Sequence, residues 1–283
     1  MPLARLRLTH LMAVLLLAAL QLPVTASAVL AADYQGTLKI GGTGAAIGTI
    51  TQVAAAFQKK NPGVRVLIPP SLGSTGGIKA LMAGALDVGL SSRPLTEAER
   101  GHGLVVAEYA RTPLLLVTSH KGAEVSFTLK QIASLYNGEI PSYPDGTPIR
   151  LIMRPEVEID LHLIRGLSPE MDKAVQKAQS REGMIVAVND QDNGDTLERI
   201  RGAIGWMTLA QLISEGRQLT PLPFDNFMPS QTNFPSQANF APGIYPLFRT
   251  FIAVSKAQPT PLVKSFLAFL TSAEGREILV KNG

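Results

Sequence analysis

Three short segments gather residues able to hold a negative charge. Gly41-Gly42-Thr43-Gly44-Ala45-Ala46 lies between a predicted strand and a predicted helix, and Gly73-Ser74-Thr75-Gly76-Gly77 has the same setting. Loops of this kind let backbone N–H groups converge at a helix N-terminus, where unpaired donors and the helix dipole favour an anion. Glycine permits close approach of the backbone, and the Ser and Thr hydroxyls add neutral donors. Either loop alone reads first as an ordinary tight turn. Two of them at the same end of adjacent parallel strands point to the edge where open α/β sheets take ligands. Neither is a nucleotide motif, since the first lacks the glycine spacing of a dinucleotide fingerprint and the second lacks the Gly-Lys-Ser/Thr ending of a P-loop. In the third segment, Asp87–Pro94, a strand ends in Ser91, Ser92 and Arg93; these read equally as a helix cap followed by a surface arginine.

Other chemistries find little support. The chain has no cysteine, which removes disulfides, thiolate metal sites, cysteine nucleophiles and a lipid-anchored mature N-terminus. His102, His120 and His162 have no metal-ligand spacing, and there is no Gly-x-Ser-x-Gly elbow. Asp190, Asp192 and Asp195 surround Asn193-Gly194 without the downstream glutamate of a calcium loop, and read as a polar turn. Trp206 reads as core or cleft wall. A catalytic role, a metal and a cofactor are therefore not expected. The formal charge of +4 is small and dispersed, with no basic stripe interleaved with aromatics, so nucleic acid is not an expected partner.

The elements that must position these residues alternate between β-like and helical. Strands are predicted at Thr37–Gly41, Val64–Ile68, Asp87–Ser91, Pro113–Ser119, Ile149–Met153, Met184–Val188, Ala203–Met207 and Phe248–Val254. Helices are predicted at Ala46–Lys59, Ile78–Ala83, a short one with Thr96 and Glu99 at capping-box spacing, Leu129–Tyr136, Asp160–Arg165, Pro169–Gln179, near Thr196–Arg201, after Thr260-Pro261, and at Ala273–Lys281. Phe224–Pro242, rich in Asn, Pro, Gln and Phe, reads as a loop. Such alternation argues for α/β lobes with mostly parallel sheets.

Ahead of these elements, Arg5 and Arg7 precede the apolar run Leu11–Leu20, followed by Pro23 and Ala26-Ser27-Ala28. The run is short of the roughly 20 residues a membrane span needs. Charged start, short apolar core and small-residue exit predict a cleavable secretory signal over residues 1–28. Removing these 28 residues from 283 leaves 255, comfortable for two lobes.

The first two loops and the Asp87–Pro94 segment, in this order, resemble the substrate-binding proteins of phosphate-type ABC transporters. The likeness continues through Leu129–Ile140, Tyr143 with Asp145-Gly146-Thr147-Pro148-Ile149, Ala203-Ile204-Gly205-Trp206, Tyr245-Pro246-Leu247, Val263–Leu270 and Ser272-Ala273-Glu274-Gly275, covering nearly all of residues 36–283. It implies a two-lobed periplasmic binding protein of type II, each lobe a mostly parallel sheet flanked by helices, joined by a two-strand hinge. Lobe one would comprise 36–118 and 245–283, and lobe two 119–244. The implied protein is a monomer in the periplasm that closes on a small anion, phosphate above all, and delivers it to an ABC transporter permease. Carried over by position, the ligand-binding residues would be Thr43, Gly44, Ala45, Ser74, Thr75, Gly76, Ser92 and Arg154, the last able to bind two anion oxygens at once.

Two departures stand out. Ser92 occupies the place of the family's proton-accepting aspartate. Glu158, Ile159 and Asp160 replace the usual Ser-Gly-Thr after Arg154. The two acids either cap their helix and pair with Arg154, or mark a cleft for a less negative ligand, or are solvated first-turn acids. A sensor or binding module of the same fold whose ligand is not phosphate is the alternative function.

Overall fold

The structure is a computed structural model that describes residues 34–121, 125–225 and 245–283. The predicted signal segment and most of the predicted Phe224–Pro242 loop lie outside them.

Alternation of Leu38 and Ile40 with exposed neighbours makes β1 (Gly36–Gly42) a strand with one face buried. It pairs in parallel with β2 (Val64–Leu67) and β3 (Val88–Ser91). At the other end of the sheet, β5 (Arg150–Met153), β6 (Ile185–Val186) and β7 (Ala203–Thr208) form a second parallel set. Two antiparallel strands join the sets: β4 (Leu104–Thr118) and β9 (Phe248–Lys256). The order is β2-β1-β3-β9-β4-β7-β5-β6, with the short β8 (Thr220–Pro221) paired to the end of β4.

The fifteen residues of β4 change partners along their length. Leu104–Pro113 run beside β9, and Leu114–Thr118 run beside β7. The hydrophobic core changes with the partner. Ile40, Ile50, Phe57, Phe251 and Phe266 belong to one buried cluster. Leu114, Leu116, Ile132, Ile152 and Trp206 belong to another. Sequence analysis found only the apolar end of β4, because Leu104–Glu108 expose Val105 and Val106 and show no period-2 alternation.

Helices flank the sheet, and most start on a named cap. A one-turn 3₁₀ segment, Gly44–Ala46, leads into α1 (Ile47–Lys60). Then come α2 (Gly73–Met82), α3 (Glu97–Arg100, with the Thr96/Glu99 capping box), and α4 (Leu129–Asn137, capped by Thr128 and closed by Gly138 at φ 79°). These are followed by α5 (Ile159–Arg165), α6 (Pro169–Ser180), α7 (Asp190–Arg199) and α8 (Leu209–Ser214). The chain closes with α9 (Pro261–Leu270) and α10 (Ala273–Lys281). Among the described residues no helix is long and apolar enough to cross a membrane.

Four local expectations are corrected. Gly41 and Gly42 end β1 rather than start a loop, and Gly42 takes φ +149° where a side chain would collide with the Leu90 carbonyl. Gly73–Gly77 is the opening of α2, not a loop before it. Glycine disfavours helix, but a Cβ on Gly77 would stand 2.5 Å from the Gly42 Cα, so close helix–strand contact outweighs propensity. Asp190–Asp195 is the start of α7 rather than a polar turn: Asn189 caps it by accepting the Asp192 N–H at 2.9 Å. The helix α8 was not anticipated.

Candidate functional site

The end of β3, the start of α2 and the turn after β1 meet through hydroxyls. Ser92 donates its N–H to Ser74 Oγ at 3.0 Å and its hydroxyl to Thr43 Oγ1 at 3.3 Å. Thr43 is buried, and its own N–H is spent on the Leu90 carbonyl at 3.0 Å. The Ala45 N–H points to a carboxylate: Asp190 Oδ2 accepts it at 2.9 Å. The start of α7 lies against this turn, with Gln191 Nε2 donating to the Gly44 carbonyl at 3.0 Å.

Two buried arginines converge on the same place. Arg154, at the end of β5, donates Nη1 to the Ala187 carbonyl at 3.0 Å and directs Nη2 to Asp190 at 3.4 Å and Glu158 at 3.3 Å. Arg249, the second residue of β9, is among the largest fully buried side chains. Its Nη1 donates to Asp190 Oδ1 at 2.8 Å and lies 3.1 and 3.2 Å from the two oxygens of Asp160. Its Nη2 donates to Thr43 Oγ1 at 2.9 Å. One guanidinium thus joins the turn after β1 to the first turns of α5 and α7.

Of the residues singled out in the sequence, Thr43, Ala45, Ser74, Ser92 and Arg154 come together here, with Gly44 buried between them. Thr75 and Gly76 lie on the outer side of α2. Thr75 is exposed and accepts from Arg93 Nη2 at 3.1 Å, while Arg93 pairs with Glu99 at 2.7 Å. Of the pairing and capping expected for Glu158 and Asp160, only Glu158 meets Arg154; Asp160 pairs with Arg249 instead, and neither acid caps its helix through a side-chain hydrogen bond. Asp160 is 2% exposed, so it is not a solvated surface acid. Trp206 is core, its Nε1 donating to the Tyr136 hydroxyl at 3.1 Å.

Sequence reasoning missed Arg249 and misread Asp190. A signal for Arg249 exists: it shares strand parity with the buried Phe251 and Ala253, so its side chain must point inward.

The charges are unequally matched. Burial alone would lower the Arg249 pKa, but the Asp160 and Asp190 carboxylates outweigh it and raise it above the ordinary value. Burial works against ionised Asp190 too, yet Arg249, Arg154 and the Ala45 N–H hold its carboxyl below the usual range. Asp160 moves the other way, raised by burial more than Arg249 lowers it, with Asp190 adding repulsion. Glu158 is likewise raised by burial against Arg154. Asp190 is therefore the firmly ionised member of the three. Among the described residues no group of three or more His, Asp or Glu is placed to hold a metal ion.

A family model described as "PBP superfamily domain" matches residues 28–274. The phosphate-binding protein PstS of Borreliella burgdorferi is 24% identical to this chain, covering 89% of it and 90% of the relative. That of Bacillus subtilis is 23% identical, covering 87% and 78%. Among solved structures, a protein of Clostridium perfringens superposes with a TM-score of 0.68 at 26% identity, covering 87% of this chain and 98% of that one. It is described as a phosphate ABC transporter substrate-binding protein with bound phosphate. A phosphate transport receptor of Vibrio cholerae superposes with a TM-score of 0.58 at 20% identity, which bears on the fold alone.

Proposed function

The chain belongs to the PBP superfamily, and from that premise we propose that it is a periplasmic substrate-binding protein that captures a small oxyanion, phosphate in the first place, for an ABC importer. The observation that carries this reading is the shared focus of the Ala45 N–H, Arg154 and Arg249. The Asp190 carboxylate already sits there, Oδ2 on the Ala45 N–H and Oδ1 on the two arginines, so the donors are arranged for a negative group. The relatives named above are phosphate-binding proteins, which agrees with that chemistry.

In this reading Thr43, Gly44, Ala45, Ser74 and Ser92 form one wall of the cleft, Arg154 and the start of α7 the other, and Arg249 the floor. Thr75 and Gly76 support the first wall from outside. Residues 36–118 with 245–283 form one lobe and 119–244 the other. Two of the buried clusters support a two-lobe division, with Leu114–Val117, Tyr245 and Leu247 packing into the second lobe's cluster at the crossover strands. Cleft closure is a hinge movement about β4 and β9. The protein is a monomer, is exported by a cleavable signal over residues 1–28, and works with a membrane permease rather than as an enzyme.

The test is a thermal-shift and calorimetric screen with phosphate, sulfate, molybdate, phosphonates and small organic acids. Phosphate at a hundred times its dissociation constant should add about 2.7 kcal/mol of stability, and Arg154→Ala should abolish the effect. No stabilisation by any anion would overturn the reading. One observation favours a second: Glu158, Asp160 and Asp190 outnumber Arg154 and Arg249 in the cluster. A binding or sensor module for a less negative solute would instead show no shift with these anions and respond when the screen is extended to neutral and cationic solutes.

A further inference from the structure

Resting on the anion-binding reading, we propose that Asp190 is an internal competitor for the ligand, a carboxylate held in the oxyanion seat that the incoming anion must displace, so that this residue sets the affinity of the cleft. Its two oxygens take the donors that an oxyanion would use. Oδ2 accepts the Ala45 N–H at 2.9 Å and faces Arg249 Nη2 at 3.5 Å, while Oδ1 accepts Arg249 Nη1 at 2.8 Å and Arg154 Nη2 at 3.4 Å. These donors come from the turn after β1, from β5 and from β9, so the carboxylate ties together segments that share no other acceptor of this kind. A second anion cannot share the seat. Like charges within hydrogen-bonding distance repel strongly in a buried site.

A carboxylate also leaves the seat incompletely used. The Nε atoms of Arg154 and Arg249 are both buried and find no hydrogen-bond partner among the described residues. Buried donors without partners are costly. A tetrahedral oxyanion brings four oxygens where Asp190 brings two, enough to serve the Ala45 N–H and the surplus guanidinium donors together.

The backbone at Asp190 is fixed independently of its carboxylate. Gln211 Nε2 donates to the Asp190 carbonyl at 2.7 Å, and Asn189 caps the helix. Displacement therefore asks only for rotation of a short side chain, not for unwinding of α7.

The experiment is calorimetric titration of inorganic phosphate into the wild-type protein and into Asp190→Asn, which keeps the shape and one acceptor oxygen but loses the charge and the second acceptor. The variant should bind with a dissociation constant at least tenfold lower. A folded Asp190→Asn that binds no tighter than a phosphate-binding wild type overturns the competitor and leaves the anion reading standing. Failure of both proteins to bind any oxyanion overturns the anion reading and the competitor with it. A crystal structure of the wild type with phosphate decides the matter without a variant. It should show a phosphate oxygen on the Ala45 N–H and Asp190 turned away, and Asp190 still bonded to Ala45 beside the phosphate overturns the proposal.

Discussion

The helix α7 carries two arginine-centred clusters, one near its start and one along its outer side. At the start, Asp190 meets Arg249 and Arg154 where side chains are 2–6% exposed. Further along, Asp195 and Glu198 meet Arg217, which also pairs with Glu215; here the acids are 65%, 30% and 16% exposed. The ion-pair chemistry is the same, and the surroundings differ. Exposed pairs gain little, because water competes for each charge. Buried pairs have lost their water, so each partner depends on the other. The first cluster can therefore do work that the second cannot. A change of charge there shifts the whole balance among the turn after β1, α5 and α7.

The largest effect follows from removing the shared cation. Arg249→Ala leaves Asp160 and Asp190 buried with only Arg154 nearby, and should cost about 3–5 kcal/mol. Chemical denaturation followed by circular dichroism measures it. Arg154→Ala should cost less, because Asp190 keeps its shorter bond to Arg249. An Arg249→Ala protein as stable as the wild type would break the distinction between the two clusters.

The sequence made the hydroxyl side of the buried cluster readable and hid the rest. Glycine and hydroxyl residues near strand ends announce their segments by type, and the family resemblance then picked out Thr43, Ala45, Ser74 and Ser92 by position. The alternation of strands and helices, with caps such as Thr96, Thr128 and Thr260, was legible because local hydrogen bonds define those starts. Arg249 was not, since a lone arginine in an apolar strand carries no local pattern beyond its inward parity. Asp190 was misread because three acids around Asn-Gly look like a turn, and only the long-range contact to Ala45 gives the first of them its role. The opening of α2 was hidden by its glycines, whose reason lies in the distant Gly42.

The next effect is a pH dependence in which the buried cluster pulls both ways, added to an acid-side loss from Glu99, Asp145 and Asp172, whose carboxyls are also held below their ordinary values. Asp160 and Glu158 have folded pKa values raised by burial. In the window above the ordinary carboxylate pKa of about 4 the folded state binds more protons than the unfolded one, so stability rises as pH falls from neutral. Asp190 acts oppositely. Its folded value is lowered, so its contribution is full above about 4 and is lost as pH falls further. Stability followed by urea unfolding should therefore rise from pH 7 toward 5 and then drop below 4. Asp160→Asn should flatten the rise without moving the acid-side fall. A rise that persists unchanged in that variant would assign the effect to Glu158.

The smallest effect belongs to the outer cluster and sharpens the contrast most directly. Arg217→Ala should cost about 1 kcal/mol or less, because Asp195 and Glu198 recover water when their partner leaves. That cost should shrink between low salt and roughly 0.5 M NaCl, since ions screen charges near the surface and reach buried ones poorly. The cost of Arg249→Ala should hold over the same range. Unfolding midpoints at the two salt concentrations for the wild type and both variants give six numbers. Equal salt sensitivity would mean that water reaches the start of α7, and a carboxylate bathed in water is a poor competitor for an anion seat.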